Sequence, residues 1–89
     1  MPDRKLVFSA YGRETYTSWL TRDRTVLKAA NKVIAAALAD PFTGIGKPEP
    51  LKHHLAGTWS RRITREHRML YQVTDNAIIV VAVGGHYEE

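Results

Sequence analysis

Residues 59–83 read WSRRITREHRMLYQVTDNAIIVVAV, and three extended segments can be read from them. Trp59–Thr64 reads as an alternating strand, with Trp59 and Ile63 on one face, and Arg65-Glu66 suggests a turn. His67–Thr74 follows as a second strand, and Asp75-Asn76 is a two-residue hairpin signal. Ala77–Val83 is apolar throughout, the pattern of an interior strand covered on both faces. With 75 and 76 as the turn, partners across the hairpin have numbers that sum to 151, which sets Arg68 near Val83. Arg62 and Arg68 share a sheet face only if the loop between their strands has an odd number of residues, and the sequence leaves that open.

Upstream, Pro41–Pro50 reads PFTGIGKPEP, and its three prolines and two glycines predict a stiff loop without regular structure. Before it, Val26/Leu27, Ala30, Val33/Ile34 and Ala37/Leu38 form a helical stripe. Asp23 is the expected N-cap of that helix, and Asp40-Pro41 its end. Six alanines between 29 and 39 suit close packing or an interface. Tyr11, Thr15/Tyr16 and Trp19/Leu20 predict an earlier helix, with Ser9 placed to cap it. Lys5–Ala10 is a plausible first strand. The order β-α-α-β-β-β predicts an α+β domain over residues 1–89: an antiparallel sheet with both helices on one face.

The 89 residues carry a formal net charge of +4. All of it arises between Gly44 and Tyr71, where Lys47, Lys52, Arg61, Arg62, Arg65 and Arg68 face only Glu49 and Glu66. A local basic field of this kind points to a polyanion, most simply phosphate. The chain has no cysteine, which excludes disulfides and thiolate metal sites. His53-His54 lacks carboxylates at ligand spacing, so no metal or other cofactor is expected. The apolar runs 33–39 and 77–83 are too short to span a bilayer, and no signal-peptide run is visible. The expectation is a cytoplasmic protein with no membrane association.

Metal-free RNA cleavage needs a base for the 2′-hydroxyl, an acid for the 5′-oxygen and cations for the charge that develops on phosphorus. Glu49, His86 and the Arg62/Arg68 pair are candidates. A carboxylate among cations is held in its charged form, and phosphate favours a protonated histidine. Guanidinium forks match phosphate geometry. Taken singly these residues also read as a loop carboxylate, a chain end and a solvated sheet face. His67, beside Glu66 in a turn, reads as a surface residue.

The combination GKPEPLKHHLAGTWSRRITREHRMLYQVTD with the terminal His86-Tyr87 closely resembles the YoeB-type toxins of the RelE superfamily. The resemblance carries Gly46–His53, Gly57, Trp59–Thr64, Glu66–Arg68, Tyr71 and His86-Tyr87, and it extends over nearly the whole chain. It implies a RelE/microbial-RNase-like fold and a ribosome-dependent mRNA endonuclease that cleaves in the A site. It also implies a 2′,3′-cyclic phosphate product. Residue by residue it implies Glu49 as general base, His86 as general acid and Tyr87 as a substrate-positioning residue. Arg62 and Arg68 match the phosphate and transition-state arginines. Lys47 and Lys52 match basic residues along the RNA path, which Arg61 and Arg65 are expected to join. The partners implied are the 70S ribosome with mRNA, a YefM/Phd-like antitoxin with a disordered C-terminal segment, and a second copy in a homodimer.

The chain departs from the family at Gly84-Gly85, where a basic or aromatic residue is common, and at the added Glu88-Glu89. Two glycines are expected to loosen the backbone that aims His86. On that ground the rival reading is a catalytically weakened module that binds the ribosome, RNA or an antitoxin.

Overall fold

A computed structural model describes residues 3–85. The elements run β1 (Lys5–Phe8), α1 (Ala10–Arg22), α2 (Arg24–Ala39), β2 (Glu49–Pro50), a 3₁₀ turn at His53–Leu55, β3 (Trp59–Arg62), β4 (Arg68–Val73) and β5 (Ala77–Val83). His86, Tyr87 and Glu88-Glu89 lie outside the described residues.

Both helices begin at the caps the sequence marks. Ser9 accepts from the Gly12 amide at the start of α1. Asp23 accepts from the Thr25 and Val26 amides at the start of α2, satisfying donors that a helix end leaves unpaired. The α2 stripe buries Val26, Ala30, Val33, Ile34 and Ala37 against the sheet.

The fold is α+β, as read from the sequence, with the strands in the order β1-β5-β4-β3-β2. The sheet is mixed, because β1 pairs parallel to β5, from Lys5 opposite Ala77 to Phe8 opposite Val80, while the other pairs are antiparallel. Parallel pairing follows from the helices: two of them carry the chain back across the sheet before β5 takes its place beside β1. α1 lies tight on β5. A Cβ at Gly12 would stand 2.0 Å from the Val80 carbonyl oxygen, so only glycine fits there.

The hairpin of β4 and β5 keeps the expected register near its turn, with Tyr71 opposite Val80 and Val73 opposite Ile78. A bulge between Leu70 and Tyr71 then shifts it, so that Met69 rather than Arg68 faces Val83. The shift keeps Met69, Tyr71, Ile78, Val80 and Val83 together on the helix side. Leu70 and Ala82 turn to the opposite face, where Leu51 and Leu55 cover them. Both faces of β5 are therefore apolar, which explains its unbroken apolar run. No helix of the described residues is long and apolar enough to cross a membrane.

Candidate active site

The segment 41–50 is not all loop. Glu49 and Pro50 form an edge strand opposite Ser60 and Trp59, a place proline tolerates because an edge strand can forgo a donor. Directly opposed residues of an antiparallel pair share a face. Glu49 thus joins Ser60, and Ser60 is in turn opposite Leu70, on the face away from the helices. Five residues separate Arg62 from Arg68, and the two stand opposite each other. Alternation along β3 and β4 puts both on that same face.

Glu49, Arg62 and Arg68 are therefore gathered on one side of the sheet. Glu49 Oε1 lies 3.4 Å from Arg68 Nη1, with the side chains 58% and 26% exposed. Such a pair adds little to stability in water. Its meaning is positional: a carboxylate and a half-buried guanidinium meet on one open face. Arg68 Nη1 also reaches 3.5 Å from Ser60 Oγ, and Arg62 is exposed.

Lys47, Lys52 and Arg65 are exposed. Arg61, expected beside them on the RNA path, is instead 0% exposed. It follows Ser60 on β3 and so faces the helix side. Its Nε donates to the Tyr71 hydroxyl at 3.0 Å, its Nη1 to the Ile45 carbonyl at 3.0 Å and its Nη2 to the Thr43 carbonyl at 2.8 Å. Nη2 also donates to the Asp40 carbonyl. Tyr71 passes the network on, donating to the Pro41 carbonyl at 2.7 Å. A permanently charged group is buried because the loop after α2 wraps carbonyls around it. Asp40 adds a local brace, accepting from the Phe42 and Thr43 amides and the Thr43 hydroxyl. The Phe42 amide, then the Thr43 hydroxyl, hold its carboxyl below the usual range. The loop closes on β3 where the Arg62 amide donates to the Gly46 carbonyl at 2.7 Å. Arg61 is thus a buried anchor for the segment that leads to Lys47 and Glu49.

Sequence reasoning also misplaced His67. Its ring is half-buried, edge-on to Trp19 with centroids 4.7 Å apart, and its Nδ1 accepts from the Gly85 amide. The cues were its place just before Arg68 and the resemblance that carries Glu66–Arg68. Among the described residues no group of three or more His, Cys, Asp or Glu side chains could hold a metal ion.

A family model described as a YoeB-like toxin of bacterial type II toxin-antitoxin systems matches residues 8–87. The chain is similar to Toxin YoeB of Escherichia coli O6:H1, 46% identical over 83 residues that span 93% of this chain and 99% of the relative. Among solved structures it resembles the YoeB dimer from Staphylococcus aureus, at a TM-score of 0.86 and 36% identity, covering 96% of this chain and 99% of that one. It also resembles the YoeB-YefM complex from the same organism, at a TM-score of 0.84 and 35% identity, covering 94% and 98%. With its two helices on a five-stranded sheet and a match across nearly its full length, the chain belongs to the family of YoeB-like toxins of bacterial type II toxin–antitoxin systems.

Proposed function

We propose that this toxin is an endoribonuclease that cleaves mRNA in the A site of the 70S ribosome by metal-independent acid–base chemistry in the cytoplasm. The observation that carries the reading is the 3.4 Å approach of Glu49 to Arg68 on the face that also holds Arg62. Glu49 takes the proton of the 2′-hydroxyl as that oxygen attacks phosphorus. Arg68 and Arg62 stabilise the added negative charge on the phosphoryl oxygens. His86 gives a proton to the departing 5′-oxygen, and Tyr87 helps to place the substrate. The products are a 2′,3′-cyclic phosphate and a free 5′-hydroxyl. Lys47, Lys52 and Arg65 attract the RNA backbone without reading its sequence.

The S. aureus relatives are a YoeB dimer and a YoeB-YefM complex. The partners of this reading are accordingly a second copy and a YefM-type antitoxin, whose disordered C-terminal segment covers the basic face until it is removed.

The test is cleavage of reporter mRNA on programmed ribosomes, with the ends mapped. Glu49→Gln and His86→Ala are each expected to lose about 10²–10⁴-fold, and Arg68→Ala to fall with them. Wild-type rates in all three variants would sink the assignment. Wild-type protein that arrests translation without cut ends would favour a binding module.

A further inference from the structure

The strand pairing does not stop at Val83. The Gly84 amide donates to the Arg68 carbonyl at 2.8 Å, and the Arg68 amide donates to the Gly85 carbonyl at 3.0 Å. The Gly85 amide donates to His67 Nδ1 at 2.9 Å. One residue earlier, the Val83 carbonyl accepts from Trp19 Nε1 at 2.9 Å, and the Val83 amide donates to Thr15 Oγ1 at 3.0 Å. Each of residues 83, 84 and 85 is tied to a neighbouring element.

The glycines are what permit this. Gly84 and Gly85 have φ of 104° and 92°, a region that side-chain-bearing residues rarely adopt. A Cβ at Gly84 would stand 2.5 Å from Cζ2 of the buried Trp19 ring. The indole is itself wedged, with His67 edge-on at 4.7 Å and the Arg22 guanidinium 4.1 Å above the ring. The expectation that Gly84-Gly85 loosens the chain is therefore overturned. The pair lets the backbone press onto Trp19 and turn back to Arg68.

We propose that Trp19, His67 and Gly84-Gly85 form a clasp that fixes where the chain leaves the sheet beside Arg68, which makes Trp19 and His67 positioning residues for His86. This rests on the nuclease reading above. The carbonyl carbon of Gly85 is bonded to the nitrogen of residue 86, and its oxygen is held by the Arg68 amide. His67 serves through an acceptor nitrogen, so its ring carries the proton on Nε2. Misplacement of a reacting group by about 1 Å is enough to lose on the order of 10²-fold in rate.

The experiment pairs amide hydrogen exchange with cleavage kinetics on programmed ribosomes. His67→Phe keeps the ring edge against Trp19 and removes the acceptor. The Gly85 amide is expected to exchange about tenfold faster, as for loss of one hydrogen bond, while the α2 amides keep their rates. In the same variant kcat is expected to fall roughly 10- to 100-fold with KM unchanged. His67→Asn, whose amide oxygen takes the place of Nδ1, is expected to restore both. Gly84→Ala, which drives a methyl group into the indole, is expected to reproduce the defect and serves if His67→Phe fails to fold. Unchanged Gly85 exchange in His67→Phe would overturn the clasp. Faster exchange with wild-type kcat would overturn the positioning role. Wild-type protein that cuts no RNA is a different outcome: the nuclease reading and the role assigned to His86 fall together, and exchange alone decides the clasp.

Discussion

Arg62 and Arg68 stand directly opposite each other on β3 and β4, so two guanidinium groups share one face with Glu49 beside only the second of them. Like charges in opposed positions destabilise a sheet by roughly 0.2–1 kcal/mol. A fold selected only for stability would not place them so. Arg62→Gln is therefore expected to raise stability by about that amount in urea denaturation at low salt. The same variant is expected to lower mRNA cleavage about 10- to 100-fold, the worth of a charge-assisted hydrogen bond to phosphate. A variant that loses stability, or that cleaves normally, would show that the pair is not a phosphate site.

Arg61 should respond in the opposite way. Its removal leaves the carbonyls of Asp40, Thr43 and Ile45 and the Tyr71 hydroxyl without the donor they close around. Arg61→Ala is expected to lose on the order of 3–5 kcal/mol, since several buried acceptors are left unsatisfied at about 1–3 kcal/mol each. Arg61→Lys keeps the charge without the fork and should lose about 1–3 kcal/mol. Chemical denaturation measures both. Exchange of the Phe42–Gly46 amides should quicken first if the guanidinium anchors that loop.

Asp40 makes the same loop sensitive to acid. Its folded carboxyl binds a proton less readily than the ordinary value of 3.8, chiefly because the Phe42 amide donates to it. As pH falls the unfolded chain therefore takes up that proton first. The stabilisation is complete above the ordinary carboxylate range and is lost as pH drops through the lower folded value. Asp40→Asn should flatten the decline of the urea midpoint below about pH 4. An unchanged acid limb would show that another carboxylate governs it.

Tyr71 sets the alkaline limb. Burial raises its hydroxyl above the ordinary value of 10.0, although the Arg61 guanidinium pulls the other way. The unfolded chain ionises first, so stability is full below about pH 10 and falls as pH rises toward the folded value. Tyr71→Phe should be weaker at neutral pH by about 1–3 kcal/mol, having left buried partners unpaired. It should also lose the tyrosine share of the alkaline decline. Absorbance titration of the phenolate checks the direction.

Much of this architecture is written in local signals. The caps at Ser9 and Asp23, the α2 stripe, the turn at 75–76 and the apolar run of β5 each depend on a few neighbouring residues. What stayed hidden depends on partners far along the chain. Nothing near Arg61 announces that carbonyls from residues 40–45 will enclose it, and a charged residue in a basic stretch reads as surface. Glu49-Pro50 is too short and too proline-rich to signal a strand; only the pairing with Ser60 and Trp59 makes it one. Gly84-Gly85 reads as slack because glycine is permissive in isolation, and it becomes rigid only against Trp19 and His67. The face shared by Arg62 and Arg68 turned on where β3 ends and β4 begins, which makes the loop between them an odd number of residues, a boundary the alternating pattern left open.

The parallel pairing of β1 with β5 also sets an order of events during synthesis. Among the described residues, Lys5–Phe8 has no strand beside it other than Ala77–Val80. β1 must therefore wait for β5, made after both helices and three other strands, and closing so long a loop is slow. A nascent chain halted before residue 77 is expected to leave its amino-terminal strand open to protease. The fold thus closes only after β5 has been made, and a shorter nascent chain lacks the pairing that holds its amino-terminal strand in the sheet.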